Sequence, residues 1–157
     1  MSRAFTKELD DMPVDLGERP VSTHRNLVTA NGMKLIEAEL ARLQDELGLT
    51  TAAGDKSLLA QVSRELRYWT SRRETAELSI ADNNSDVVRF GMRVTVENED
   101  GRQQIWGLVG EDEAEPSKGT ISHISPMAVG LFGKGNLVTI NGRELEIISF
   151  KAIDENV

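Results

Sequence analysis

Apolar residues recur along this chain at two different periods, and the change between them divides it. Met33, Ile36, Leu40, Leu43 and Leu47 follow a 3, 4, 3, 4 spacing, a heptad seam along one helix face. Thr29 or Asn31 is placed to cap the start of that helix, and Gly48 is expected to end the regular pattern. Asp55 then offers an N-cap for a second helix. In it Leu59, Val62, Leu66 and Trp69 repeat the seam, Ala76 and Ile80 stay in phase, and Arg73 takes the seam position between them. Two seamed helices joined by the short loop TTAAGD predict an antiparallel helical hairpin, a short coiled coil, over residues 29–80.

Residues 81–86, ADNNSD, have the composition of a linker. Beyond them the period drops to two: Met92, Val94 and Val96 alternate with polar residues, and Asn98-Glu99-Asp100-Gly101 is a hairpin turn signal. Further strands are expected at Gln103–Val109, Gly119–Ile124, Leu137–Ile140 and Arg143–Phe150. Asn141-Gly142 joins the last two, and both residues tolerate positive φ. Ser125–Phe132 reads as a short helix with Ser125 as N-cap and Pro126 in the first turn, where a missing N–H costs nothing. The pattern therefore predicts an α+β protein, with the hairpin followed over residues 87–157 by an antiparallel β-domain carrying one short helix. Residues 1–28 lack either period. Pro13, Gly17 and Pro20 interrupt them, Glu8, Asp10, Asp11, Asp15 and Glu18 crowd them, and an extended or weakly ordered acidic arm is expected.

Composition narrows the chemistry. The 157 residues are 39% hydrophobic but only 4% aromatic, so the core is built from Leu, Ile and Val with few rings. No cysteine is present, which excludes disulfides and thiol catalysis. No run approaches the roughly 18 apolar residues of a membrane span, and a soluble, cytoplasmic protein is the expectation. The net charge of −8, shared evenly between the two halves, argues against charge-driven binding to duplex nucleic acid and suits either solubility or a basic protein partner.

Few side chains have the spacing of a catalytic or metal site. His24 and His123 are isolated, and the glycines at 130, 133 and 135 read as turn residues rather than a phosphate cradle. Arg64, Arg67, Arg72 and Arg73 lie with Tyr68 and Trp69 in the one basic-aromatic cluster. It suits contact with RNA or an acidic protein surface, or equally ion pairing with Glu37, Glu39 and Glu65 around a seam tryptophan. Glu111, Asp112, Glu113 and Glu115 form an acidic loop, read as a solvated turn or as a docking element.

The stretch GEDEAEPSKGTISHISPMAVGLFGK, Gly110 to Lys134, carries a resemblance. Together with VVRFG at 87–91, VTVE at 94–97 and Gly133-Lys134, it is similar to the C-terminal domain of bacterial Gre-type transcription elongation factors. NGMKLIEAELARL at 31–43 resembles the start of that family's coiled coil. The resemblance implies an FKBP-like β-domain and a non-enzymatic factor that needs no cofactor of its own. It implies RNA polymerase as partner, gripped at the rim of the secondary channel by the β-domain. The hairpin would point inward, close to nascent RNA, without sequence-specific DNA binding. It assigns Glu111, Asp112, Ile124, Ser125, Pro126 and Met127 to the polymerase-facing surface. Ser125 keeps its reading as a helix cap beside that role.

Two departures shape the expectation. The family's coiled-coil tip carries a D-x-x-E-N type acidic motif that helps hold a catalytic magnesium ion, because a hard cation takes carboxylate oxygens. No such motif lies between Leu43 and Leu66, the hairpin is shorter by several turns, and the candidate tip acids are only Asp45, Glu46 and Asp55. In this the chain is closer to the regulator of nucleoside diphosphate kinase (Rnk), a relative with a truncated coiled coil. Ile124 also stands where the family has Asp or Asn, and Val129-Gly130 where an arginine is common. The expectation is a polymerase-binding regulator that does not promote transcript cleavage. A cleavage factor using the tip carboxylates, or a protein-interaction regulator such as one acting on nucleoside diphosphate kinase, are the alternatives.

Overall fold

The structure, a computed structural model, describes residues 17–153. The acids of the expected arm at positions 8, 10, 11 and 15 lie outside these residues. In chain order the elements are β1 (Leu27–Val28), α1 (Ala30–Ala53), α2 (Lys56–Thr75), β2 (Glu77–Leu78), β3 (Met92–Asn98), β4 (Gln103–Val109), a 3-10 turn at Pro116–Lys118, β5 (Thr120–Ser122), α3 (Pro126–Leu131), β6 (Leu137–Ile140) and β7 (Arg143–Ala152). Contacts group residues 17–22 with 38–72, and 23–37 with 73–153.

Both helices form, with altered ends. Thr29 caps α1: its hydroxyl accepts from the Gly32 N–H at 2.9 Å. Gly48 does not end the helix, which spans 24 residues and runs on to Ala53. The seam explains this, because Thr50 continues the 3, 4 rhythm after Leu43 and Leu47 and is buried. The Thr50 and Thr51 hydroxyls donate back to the carbonyls of Glu46 and Leu47, both at 2.7 Å, which lets polar residues ride on the last turns. Gly54, at φ 71°, ends the helix, with its N–H on the Thr50 carbonyl. Asp55 caps α2 as expected, its Oδ1 accepting from the Leu58 N–H at 3.0 Å.

The second seam shifts at its end. Arg72, not Arg73, is the buried residue, while Arg73 faces out and pairs with Glu37 at 3.2 Å. α2 also stops at Thr75, short of the expected residue 80. Leu27 and Val28 pair in parallel with Glu77 and Leu78. The Glu77 and Ser79 N–H groups donate to the Asn26 and Val28 carbonyls at 2.8 and 2.9 Å. This strand pair claims the backbone that a longer helix would have used. It also corrects the expectation of a loose arm for the described part of residues 1–28: Leu27 and Val28 are strand, and Val28 is buried.

The β-domain is a five-stranded sheet in the order β5-β4-β3-β7-β6. The alternation read from Met92, Val94 and Val96 holds, since all three are buried in its core with Val88, Leu108, Ala128, Leu131, Val138, Ile140, Leu145 and Ile147. The β6–β7 turn uses Asn141 at φ 54° and Gly142 at φ 76°. One expectation is corrected. The sheet is mixed rather than antiparallel, because β5 runs parallel to β4, with Gly107 opposite Thr120 and Val109 opposite Ser122. The residues between them, including the 3-10 turn, carry the chain back to the start of β4 and permit that direction.

Candidate functional site

Parallel pairing of β4 and β5 puts the C-terminal ends of both strands side by side. The His123 N–H donates to the Val109 carbonyl at 2.9 Å, extending the contact one step past the strands. The acidic loop that leaves β4 at Gly110 and the turn that leaves β5 at His123 therefore emerge at the same end of the sheet. This brings together the two groups singled out from sequence, Glu111 and Asp112 on one loop and Ile124 to Met127 on the other.

The second loop is built around Ser122 and Ser125. The Ile124 N–H donates to Ser122 Oγ at 3.2 Å, and the Ser125 N–H to the Ser122 carbonyl at 2.9 Å. Ser125 Oγ then accepts from the Ala128 N–H at 3.3 Å, capping α3, and Pro126 fills the first turn. Pro126 is exposed, Ile124 and Met127 are half-buried, and Ala128 is fully buried. Val129 is 61% exposed, so this helix shows solvent an apolar side chain. Gly130 is needed beneath it, since a Cβ there would lie 2.6 Å from the Ile140 side chain. The far end of α3 is held by Val88, which bonds Gly133 and Lys134 through both its carbonyl and its N–H.

The acidic loop is less solvated than its composition suggests. Glu113 is half-buried and sits at the N-terminus of α1. Its Oε1 accepts from the Thr29 hydroxyl at 2.5 Å and its Oε2 from Asn31 Nδ2 at 2.9 Å. The carboxylate thereby meets the positive end of the helix dipole. Two glycines make room for the approach. A Cβ on Gly32 would lie 2.8 Å from Glu113 Oε1, and one on Gly110 would lie 2.4 Å from the Leu27 carbonyl oxygen. Of the two caps the sequence offers, Thr29 and Asn31, the structure uses Thr29, and nothing local in the sequence pointed to Glu113 as its partner. Glu111 and Asp112 are half-buried on the same loop, and His123 is buried with its ring edge-on to Phe90 at 5.6 Å.

The three candidate tip acids are not gathered into one site. Glu46 accepts from Arg42 Nη1 at 2.7 Å, Asp55 is the α2 cap, and Asp45 is exposed on α1. Between Leu47 and Asp55 the bend offers only Gly, Leu, Thr and Ala, with Leu49 74% exposed. Among the described residues, no group of three or more His, Asp or Glu side chains is arranged to hold a metal ion. Charge on the helices goes into local pairs. Arg42 bridges Glu39 and Glu46, and its hydrogen bond holds the Glu39 carboxyl below its ordinary value. Glu77 is lowered in the same way by Arg25. Of the basic-aromatic cluster, Arg67 pairs with Glu18 at 2.7 Å, Arg64 is weakly paired with Glu65 at 3.9 Å, and Arg73 is on Glu37.

Residues 83–151 match the family described as transcription elongation factor GreA/GreB, C-terminal. The chain is 37% identical over 114 residues to the transcription elongation factor GreA of Chloroflexus aurantiacus, covering 66% of this chain and 71% of that one. It is 34% identical over 128 residues to the GreB of Yersinia pestis, covering 69% and 75%. The crystal structure of GreA factor homolog 1 of Thermus thermophilus overlaps it with a TM-score of 0.39 at 18% identity, over 82% of this chain and 100% of that one. The fold itself is a pair of consecutive helices followed by a C-terminal five-stranded sheet. The chain belongs to the GreA/GreB family of transcription elongation factors. Among the described residues, no helix is long and apolar enough to cross a membrane.

Proposed function

We propose that this chain is a non-enzymatic regulator that docks on RNA polymerase at the rim of the secondary channel and does not stimulate transcript cleavage. Docking is through the shared end of β4 and β5, with Glu111 and Asp112 on one loop and Ile124, Ser125, Pro126 and Met127 on the other. The observation that carries the loss of cleavage is the tip. Magnesium held between factor and polymerase needs free carboxylate oxygens converging on one point. Here Glu46 is engaged by Arg42 and Asp55 by the α2 backbone, which leaves Asp45, exposed on α1, as the one candidate of the three not committed to a local bond. Half-buried Ile124 and exposed Val129 support an apolar part of the docking face beside the acids Glu111 and Asp112. Such a protein would alter elongation by occupying the channel mouth near nascent RNA and would compete with cleavage-competent relatives.

The test is a pair of measurements on folded protein and the cognate polymerase. Binding is expected, and it should weaken in a variant carrying S125A and P126A together. Backtracked elongation complexes with magnesium should show no added shortening of the transcript. Shortening that disappears in D45N would establish the cleavage reading instead, and absence of binding would remove the docking reading altogether.

A further inference from the structure

The sheet turns one face to the core and leaves the other in solvent. Register sets the outward side chains of β4, β3, β7 and β6 in rows across the strands. At one end Arg93 lies opposite Lys151. In the middle Thr95 lies between Ile105 and Ser149. At the other end Glu97 lies opposite Glu146, which has Leu137 on its far side, and Thr139 with Glu144 follows as a last row. Arg93, Lys151, Glu144 and Glu146 are exposed and Glu97 is half-buried. None of these charges makes an ion pair among the described residues. Apolar side chains are exposed beside them: Ile105 at 53%, Leu137 at 60%, and Ile148 at 44%, the last in β7 where its register with β3 shifts.

Both charged rows run against the usual rule for a sheet face. Like charges directly opposite on neighbouring strands repel, and a merely solvated face gains by mixing the signs. Here the repulsion occurs on both sides of Thr95, base against base in one row and acid against acid in the other. The surface hollows divide in the same way. One is lined by Arg93, Ile105 and Lys151, another by Glu97, Leu137, Glu144 and Glu146. Successive rows are two residues apart, so the basic and acidic rows lie about 14 Å from each other with Thr95 midway. A two-fold axis lying between two such sheets, and crossing the strands at the Thr95 row, sets each basic row over the acidic row of the other copy. Arg93 and Lys151 then meet the partner's Glu97 and the partner's Glu146, and Ile105 meets the partner's Ile105. The like-charge repulsion within each copy is relieved by the opposite charge of the other.

We propose that this outer sheet face is a self-complementary contact through which two copies of the chain pair about a two-fold axis. It does not depend on the docking reading above. Strands about 4.8 Å apart and rows about 6.8 Å apart, four of each, give a patch of roughly 500 Å² on each copy, the size of a weak, reversible interface. In sedimentation velocity the full chain should pass from monomer to dimer with a dissociation constant of about 10–100 μM, weakening about tenfold between about 0.05 and 0.5 M salt. R93E with K151E leaves only acids in the charged rows, and E97K with E146K leaves only bases there and Glu144 beyond. Each variant alone should stay monomeric. A mixture of the two should form a heterodimer, and the chain carrying all of these substitutions should pair with itself again. A chain that stays monomeric through this concentration range overturns the proposal, and so does a dimer that survives both charge reversals. Loss of the dimer in both variants without recovery in the mixture overturns it too, because the loss then comes from misfolding rather than from opposed charges. If the chain is monomeric and R93E with K151E weakens polymerase binding, polymerase is the occupant of this face and the pairing of two copies is overturned.

Discussion

Glu113 joins two places in the chain that lie 84 positions apart, and its environment sets what a substitution there should do. Thr29 is almost fully buried, so E113A leaves its hydroxyl without an acceptor and removes the second bond from Asn31. A loss of about 1–3 kcal/mol in urea unfolding is expected, with faster hydrogen exchange in the first turn of α1. G110A should be at least comparable, about 1–3 kcal/mol, because the added methyl meets a backbone carbonyl rather than a side chain that can rotate. The lowered carboxyls of Glu39 and Glu77 give a pH dependence of definite sign. A carboxyl lowered by folding contributes stability above its ordinary value, 4.5 here, and that contribution is lost as pH falls through the lower folded value. E39Q and E77Q should therefore flatten the acid limb of a stability–pH curve below about pH 4.5 and leave its slope near neutrality unchanged.

At the scale of elements, the helices show which local signals were sufficient. Asp55 could be named as a cap in advance, and the cap of α1 narrowed to Thr29 or Asn31, because a cap needs only its own side chain and the next few backbone N–H groups. Gly48 was misread as a terminator because helix propensity is a weak prior beside a continuing seam. Its position in α1 is open, with nothing within 4 Å of an added Cβ. G48A should therefore stabilise the protein by about 0.5–1 kcal/mol, read from the thermal or urea midpoint. D55A should cost about 1 kcal/mol by the same measurement, through loss of the cap to Leu58. The end of α2 was not legible. Ala76 and Ile80 keep the seam's phase, but the backbone there pairs with Leu27 and Val28 from a segment whose prolines and acids gave no strand signal.

At the scale of the whole molecule, the candidate surface depends on one strand direction. Had β5 run antiparallel to β4, the acidic loop and the Ser-Pro helix would leave the sheet at opposite ends, and no single face could present both. A paired substitution tests their joint role: E111Q with D112N should weaken polymerase binding, and S125A with P126A should weaken it too. Combining the two pairs should give less than the product of their separate effects, because neighbouring groups on one contact face couple. Fully independent effects in a competition binding assay would argue against one continuous surface.

The sequence by itself determined the two-part α+β architecture, the seams, the caps, the Asn141-Gly142 turn and the absence of an acidic tip motif. Each of these follows from local spacing or from the chemistry of neighbouring residues. Only the tertiary structure decided the parallel direction of β5, the Glu113–Thr29 contact, the exchange of Arg73 for Arg72 in the interior and the pairing of Glu18 with Arg67 on α2. These join residues far apart in the chain or depend on which face of a helix is covered. Hydrophobic period records that an element is half-buried, but it is blind to the direction in which a neighbouring strand runs and to which distant side chain meets a cap.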